Sequence, residues 1–117
     1  ARTRRPKLGN LMGGLSGPPF KPIALRMVYQ CARSVEIPVI GCGGITTAED
    51  VAEFLIAGAS AVQVGTASFV SPNVMPRLLD ELCDFLTEQG WNSVTEIIGS
   101  IQDGSHQEGV RFMEAAP

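Results

Sequence analysis

The stretch IPVIGCGGITTAEDVAEFLIAGASAVQVGT, Ile37 to Thr66, contains two short apolar runs, each ending in glycine and each leading into a helix-like segment. Ile37–Ile40 is β-branched and apolar, the pattern of a buried strand, and Ala61–Val64 is a second such run. Between them, Thr46 and Glu49 have capping-box spacing ahead of AEDVAEFLIAGA, and Gly58 is placed to stop that helix. Strand, helix and strand with tight connections predict parallel strands joined by a right-handed crossover. Neither run alternates with polar residues, which predicts strands covered on both faces.

The same unit repeats outward. GGLSGPPFKP, Gly13 to Pro22, is loop by its glycines and prolines. From Pro22 to Val35, the residues Ala24, Met27, Val28, Cys31 and Val35 recur at helical spacing, with Pro22 suited to a first turn. Downstream, Ser71 and Pro72 can start a helix whose face is Met75, Leu78, Leu79, Leu82, Phe85 and Leu86, closed near Gly90. SVTEIIGSI adds one short helix. Two strands with three helices cannot close a barrel or complete a doubly wound sheet, so the pattern predicts a piece of a larger fold. Ala1 is not an initiator methionine, and ARTRRPK reads as mid-chain text, which agrees.

Two successive strands that end in bare backbone need a reason, because glycine costs stability where nothing requires it. Gly43 and Gly44 follow the first strand, and Gly65 with Thr66 follows the second, 22 residues on. In a parallel α/β structure such turns are neighbours, their N–H groups converge, and helix N-termini add positive potential. One glycine turn is explained equally well by a tight strand-to-helix connection. Two in register favour an anion, with the Thr66 hydroxyl as a further donor. The loops after strands 7 and 8 of a (β/α)8 barrel often hold phosphate in this way. IGCGGI is not a dinucleotide fingerprint, since the G-x-G-x-x-G spacing and the acidic residue about twenty positions on are missing.

Composition limits the remaining classes. The 117 residues, 44% hydrophobic, suit one globular domain. No run is long enough for a membrane span, and no apolar core follows the basic start as a signal peptide requires, so a cytoplasmic location is expected. Arg2, Arg4, Arg5 and Lys7 crowd the first seven residues, leaving five bases against twelve acids in the remainder. Nothing aromatic or basic continues that start, and an acidic body repels a phosphate backbone, so no nucleic-acid role is expected. Cys31, Cys42 and Cys83 are odd in number and lack a CxxC, which argues against a disulfide framework or zinc site. The single histidine, His106, lies in QDGSHQEG, too loop-like to build a metal site or a catalytic triad.

GGLSGP, KPIALR, IPVIGCGGI and AEDVAEFLIAGASAVQVGTA, in this order and at these spacings, resemble the C-terminal portion of dihydroorotate dehydrogenases, in particular the class 1, NAD-linked (B-type) catalytic subunit. The resemblance runs from about Thr3 to Ile101. It implies a single domain over residues 1–117: the C-terminal part of an FMN-binding (β/α)8 TIM barrel, with about 102–117 as a polar tail. It also implies oxidation of dihydroorotate to orotate in pyrimidine biosynthesis, with FMN as hydride acceptor. The matching positions carry over as FMN contacts at Gly17, Gly43, Gly44, Gly65 and Thr66, with Ser16 a further polar contact.

The family's catalytic cysteine, its flavin-contacting lysine and its orotate-holding asparagines lie upstream of these motifs and have no matching position here. No catalytic or metal-binding residue is therefore expected in this chain. Cys42 is expected to be a small buried residue, and Lys21 to be structural. The B-type resemblance further implies a homodimer and a partner subunit carrying FAD and an iron–sulfur cluster. Two other readings fit the motifs: a non-catalytic half-barrel that binds FMN or another phosphate ligand, and a dihydropyrimidine-oxidising flavin domain.

Overall fold

The computed structural model describes residues 4–102. A 3-10 turn at Pro18–Phe20 leads into helix α1, Lys21–Ala32. Strand β1 (Ile40–Cys42), helix α2 (Ala48–Ile56) and strand β2 (Ala61–Gln63) follow. A short helix α3 (Thr66–Val70), a long helix α4 (Val74–Glu88) and a second 3-10 turn (Val94–Glu96) complete the order. The strands pair in parallel, with Ile40 opposite Ala61, Gly41 opposite Val62 and Cys42 opposite Gln63. The expected alternation of helices and parallel strands is present.

Several boundaries move for physical reasons. β1 starts at Ile40, not Ile37, because Pro38 has no N–H to give a ladder, and Ile37 is exposed. α1 ends at Ala32, where the N–H groups of Ser34 and Val35 both turn back to the Cys31 carbonyl. The capping box of α2 is Thr47 with Asp50, one residue later than Thr46 and Glu49. α3 was not expected at all. Ser71 and Pro72 precede α4 but do not start it, since Asn73 is its N-cap. Both glycine stops hold. The N–H groups of Gly58 and Ala59 reach the Leu55 and Phe54 carbonyls, and those of Gly90 and Trp91 reach Thr87 and Leu86, which are paired Schellman bonds.

The core lies between one face of the sheet and the helices. Phe54 and Ile97 are fully buried and Val74 nearly so, while Phe54 closes onto Gly41. Burial of a side chain such as Phe54 contributes roughly 1.5–3 kcal/mol. On α4, Leu78 is buried and Leu82, Phe85 and Leu86 pack against the core, whereas Met75 and Leu79 of the expected face are exposed. After the second 3-10 turn, the N–H groups of Gly99 and Ile101 bond the Leu55 and Ile56 carbonyls, docking the chain on the end of α2.

The other face of the sheet is open. Ile40, Cys42, Ala61 and Gln63 are all exposed, so the expectation that helices cover both faces does not hold within this chain. Among the described residues, no helix is long and apolar enough to cross a membrane, and no cluster of His, Cys, Asp or Glu has metal-site geometry. His106 and most of the expected polar tail lie outside the described residues.

Candidate functional site

At the C-terminal ends of β1 and β2, the loops before α1, α2 and α3 meet around a cavity of about 190 Å3. Gly17, Gly43, Gly44, Gly65 and Thr66 all line it, together with Ser16. The five residues singled out from the sequence, spread over fifty positions, are thus brought to one place. Cys42 lines the same cavity and is exposed, which corrects its expected burial. The cause is strand alternation: Gly41 takes the helix-facing side, so Cys42 takes the open one. Thr46 also contributes to the wall, a position that sequence reasoning treated only as a cap.

The glycines serve different ends. Gly43 has φ +138° and Gly44 φ +74°, in the region that L side chains rarely adopt. A Cβ on Gly43 would lie 2.7 Å from Phe20 Cδ1, and one on Gly44 would lie 2.7 Å from the Gly17 carbonyl oxygen. The fold alone therefore requires both, whatever occupies the cavity. Gly65 has φ −108°, and a Cβ there would meet nothing within 4 Å. Neither packing nor a left-handed backbone explains Gly65. Its missing side chain leaves room beside the cavity, where it opens α3 as an N-cap without a side-chain hydrogen bond.

A polar tie sits behind this wall. Lys21 Nζ donates to Asp50 Oδ1 at 2.6 Å and approaches Glu53 Oε2 at 2.9 Å. Asp50 Oδ2 accepts from the Thr46 N–H (2.8 Å), the Thr46 hydroxyl (3.0 Å) and the Thr47 N–H (3.0 Å). Arg77 of α4 donates to the Thr46 carbonyl at 3.1 Å. Burial pushes the Asp50 carboxyl up, but the Lys21 ammonium and the Thr46 and Thr47 donors outweigh it and lower its pKa to about 2. The hydrogen bonds to Asp50 and Glu53 raise the Lys21 pKa. Lys21 is structural, as expected. Asp50 was missed, although TTAED contains the signal: two adjacent threonines and two adjacent acids allow two capping registers.

The two N–H groups just before α2, those of Thr46 and Thr47, are thus already taken by a carboxylate of its own chain. An external anion is left with the opposite wall, Gly65 and Thr66, and the glycines of the first loop. Among the described residues, no acidic side chain lines the cavity. Cavities that take whole cofactors measure about 300–1,000 Å3, so this one suits the anionic end of a larger ligand. A groove of about 340 Å3 between β2 and α4 is larger, but its walls (Val62, Val64, Met75, Leu79 and neighbours) are apolar and offer no orienting side chain.

The family model for dihydroorotate dehydrogenase matches residues 1–86. A Solibacter usitatus protein assigned as dihydroorotate dehydrogenase A (fumarate) is 60% identical over 102 residues, covering 87% of this chain and 34% of that one. The dihydroorotate dehydrogenase B (NAD(+)) catalytic subunit of Geobacter sulfurreducens is 56% identical over 99 residues, covering 85% and 32%. The corresponding subunit of Bacillus pumilus is 54% identical over 98 residues, covering 84% and 32%. Among solved structures, ligand-free DHODH from Eimeria tenella aligns with a TM-score of 0.71 at 36% identity, covering 75% of this chain and 25% of that one. The same enzyme in complex with ferulenol aligns with a TM-score of 0.71 at 31% identity, covering 87% and 29%. The chain spans about a third of the length of the curated relatives it matches. Its α/β arrangement is that of part of a (β/α)8 barrel.

Proposed function

The chain belongs to the dihydroorotate dehydrogenase family, and from that we propose that it carries the part of the enzyme that holds the phosphate end of FMN. In this reading it is the C-terminal portion of the barrel of a class 1 enzyme that oxidises dihydroorotate to orotate in pyrimidine biosynthesis. The observation that carries the proposal is the convergence of Gly17, Gly43, Gly44, Gly65 and Thr66 on one cavity without acidic walls. Gly65 is the sharpest part of it, because no packing contact accounts for its missing side chain. Bound FMN supplies the hydride acceptor. The residues of this chain would bind and orient it: backbone N–H groups of the glycine loops and the Thr66 hydroxyl would hold the phosphate, and the tight approach of Gly44 to Gly17 fixes the wall they stand on.

Hydride abstraction needs the substrate against the flavin and a base at the adjacent proton. Among the described residues that line the cavity, Cys42 has the one titratable side chain, and in this reading the base comes from the part of the barrel upstream of these motifs, as the resemblance implies. The B-type relatives are named as NAD(+)-linked catalytic subunits, which supports a separate partner subunit; to this reading the resemblance adds a homodimer, FAD and an iron–sulfur cluster on that partner, and a cytoplasmic setting. The relative assigned to the fumarate type favours a second reading for the electron acceptor.

The phosphate assignment is tested by Gly65→Asp in the native protein that carries this sequence. A carboxylate placed beside a phosphate adds bulk and repulsion at once. Fluorescence titration of the apoprotein should show FMN affinity reduced by about a hundredfold or more, roughly 3 kcal/mol. Unchanged flavin content and affinity would overturn the assignment.

A further inference from the structure

Asp50 is a buried carboxylate that the proposed chemistry leaves unused, yet it takes four hydrogen bonds and joins three segments of the chain. One oxygen gathers Thr46 and Thr47 at the end of the first glycine loop. The other holds Lys21 in the first turn of α1. Gly17 lies four residues before Lys21, and a Cβ on Gly44 would meet both the Gly17 carbonyl oxygen (2.7 Å) and the Lys21 backbone nitrogen (2.9 Å). The loop before α1 and the loop before α2 therefore touch at Gly44 and are tied together at Lys21–Asp50. These two loops form one wall of the cavity, and Gly65 with Thr66 forms the other.

Resting on the flavin-phosphate reading above, we infer that Asp50, acting through Lys21, is a positioning residue for the phosphate: the tie sets the spacing between Gly17 and Gly43–Gly44, against which the phosphate is gripped. The tie does not touch the ligand. Its effect is expected at the phosphate end alone, since a cavity of about 190 Å3 would not take the whole cofactor.

Charge and position make opposite forecasts here. Were the pair to act only by its field, removing the Asp50 charge would help a phosphate and removing the Lys21 charge would hurt it. If the tie acts by position, breaking it from either side does the same damage. The measurement is the preference for FMN over riboflavin, taken as the ratio of their Kd values for the apo form of the native protein by flavin fluorescence. Riboflavin lacks the phosphate and reports the rest of the site.

Asp50→Ala and Lys21→Met should each lower the preference by about tenfold, with riboflavin affinity held within about threefold. The double variant should be no worse than the weaker single one, because the Lys21–Asp50 contact is already lost in each, although Asp50→Ala also releases Thr46 and Thr47 and Lys21→Met also releases Glu53. Asp50→Asn keeps an acceptor for Thr46 and Thr47 but weakens the hold on Lys21, so an intermediate loss is expected, and this variant carries the test should Asp50→Ala not fold. Opposite shifts for the two single variants, unmoved preference, or parallel loss of both flavins would overturn the inference. A wild-type protein without preference for FMN would instead sink the phosphate reading beneath it.

Discussion

At Gly44 a methyl group would press on the Gly17 carbonyl oxygen from a backbone with φ +74°, whereas at Gly65 the same methyl would enter open space. The two positions should therefore separate stability from binding. Gly44→Ala should cost about 2–4 kcal/mol, combining a strained left-handed residue with a backbone overlap. Gly65→Ala should cost no more than about 1 kcal/mol, the usual penalty for alanine at an N-cap, while weakening FMN. Thermal unfolding beside flavin titration checks both. A Gly65 variant that melts early with unchanged affinity would reverse the assignment. The spacing of the glycines was legible in the sequence, but not which of them served the fold. That distinction depends on Phe20, Ala24 and Lys21, which reach the loop only after α1 has packed.

α2 begins on a reciprocal cap between Thr47 and Asp50, and the ion pair with Lys21 adds α1 to it. The folded Asp50 pKa of about 2 lies below the ordinary 3.8, so its contribution is complete above pH 3.8 and fades as pH falls towards 2. Lys21 is raised from 10.5, so its contribution is complete below that value and fades only at higher pH. The tie is thus fully formed from about pH 4 to 10. Unfolding free energies of the native protein that carries this sequence, measured between pH 5 and pH 2, should show a steeper acid loss, about one further proton taken up on unfolding, in the wild type than in Asp50→Asn. Identical slopes would show that Asp50 keeps an ordinary pKa. The existence of this helix was legible, from its cap signal to Gly58. Its cap register was not, because TTAED fits two frames and only the reach of Lys21 and the burial of Asp50 choose between them. α3 was illegible for another reason: five residues are too few to show a helical period.

Among the described residues, the sheet leaves one face open and neither edge has a further strand, with Ile40 55% exposed on that face and Ile37 72% exposed just before it. Phe69 and Val70 of α3 are more exposed still. A barrel of this kind takes about 250 residues to cover such surfaces and to assemble its catalytic face from several loops. The 117-residue chain prepared alone should therefore self-associate or melt without cooperativity, and should not turn over dihydroorotate with FMN and an artificial acceptor. Sedimentation and a redox-dye assay test this, with Cys42→Ser as the control. A compact, cooperatively melting monomer would favour a self-contained module. Turnover abolished by Cys42→Ser would make that thiol the base.

The bonds from Gly99 and Ile101 to the last carbonyls of α2 have a mechanical meaning. The helix is gripped at its finish by the chain that follows α4 and at its start by Lys21. It is a strut between two anchors. A pull on the docked segment Gly99–Ile101 is expected to reach α2 at its last carbonyls and to be carried by the helix towards Asp50, behind the cavity wall.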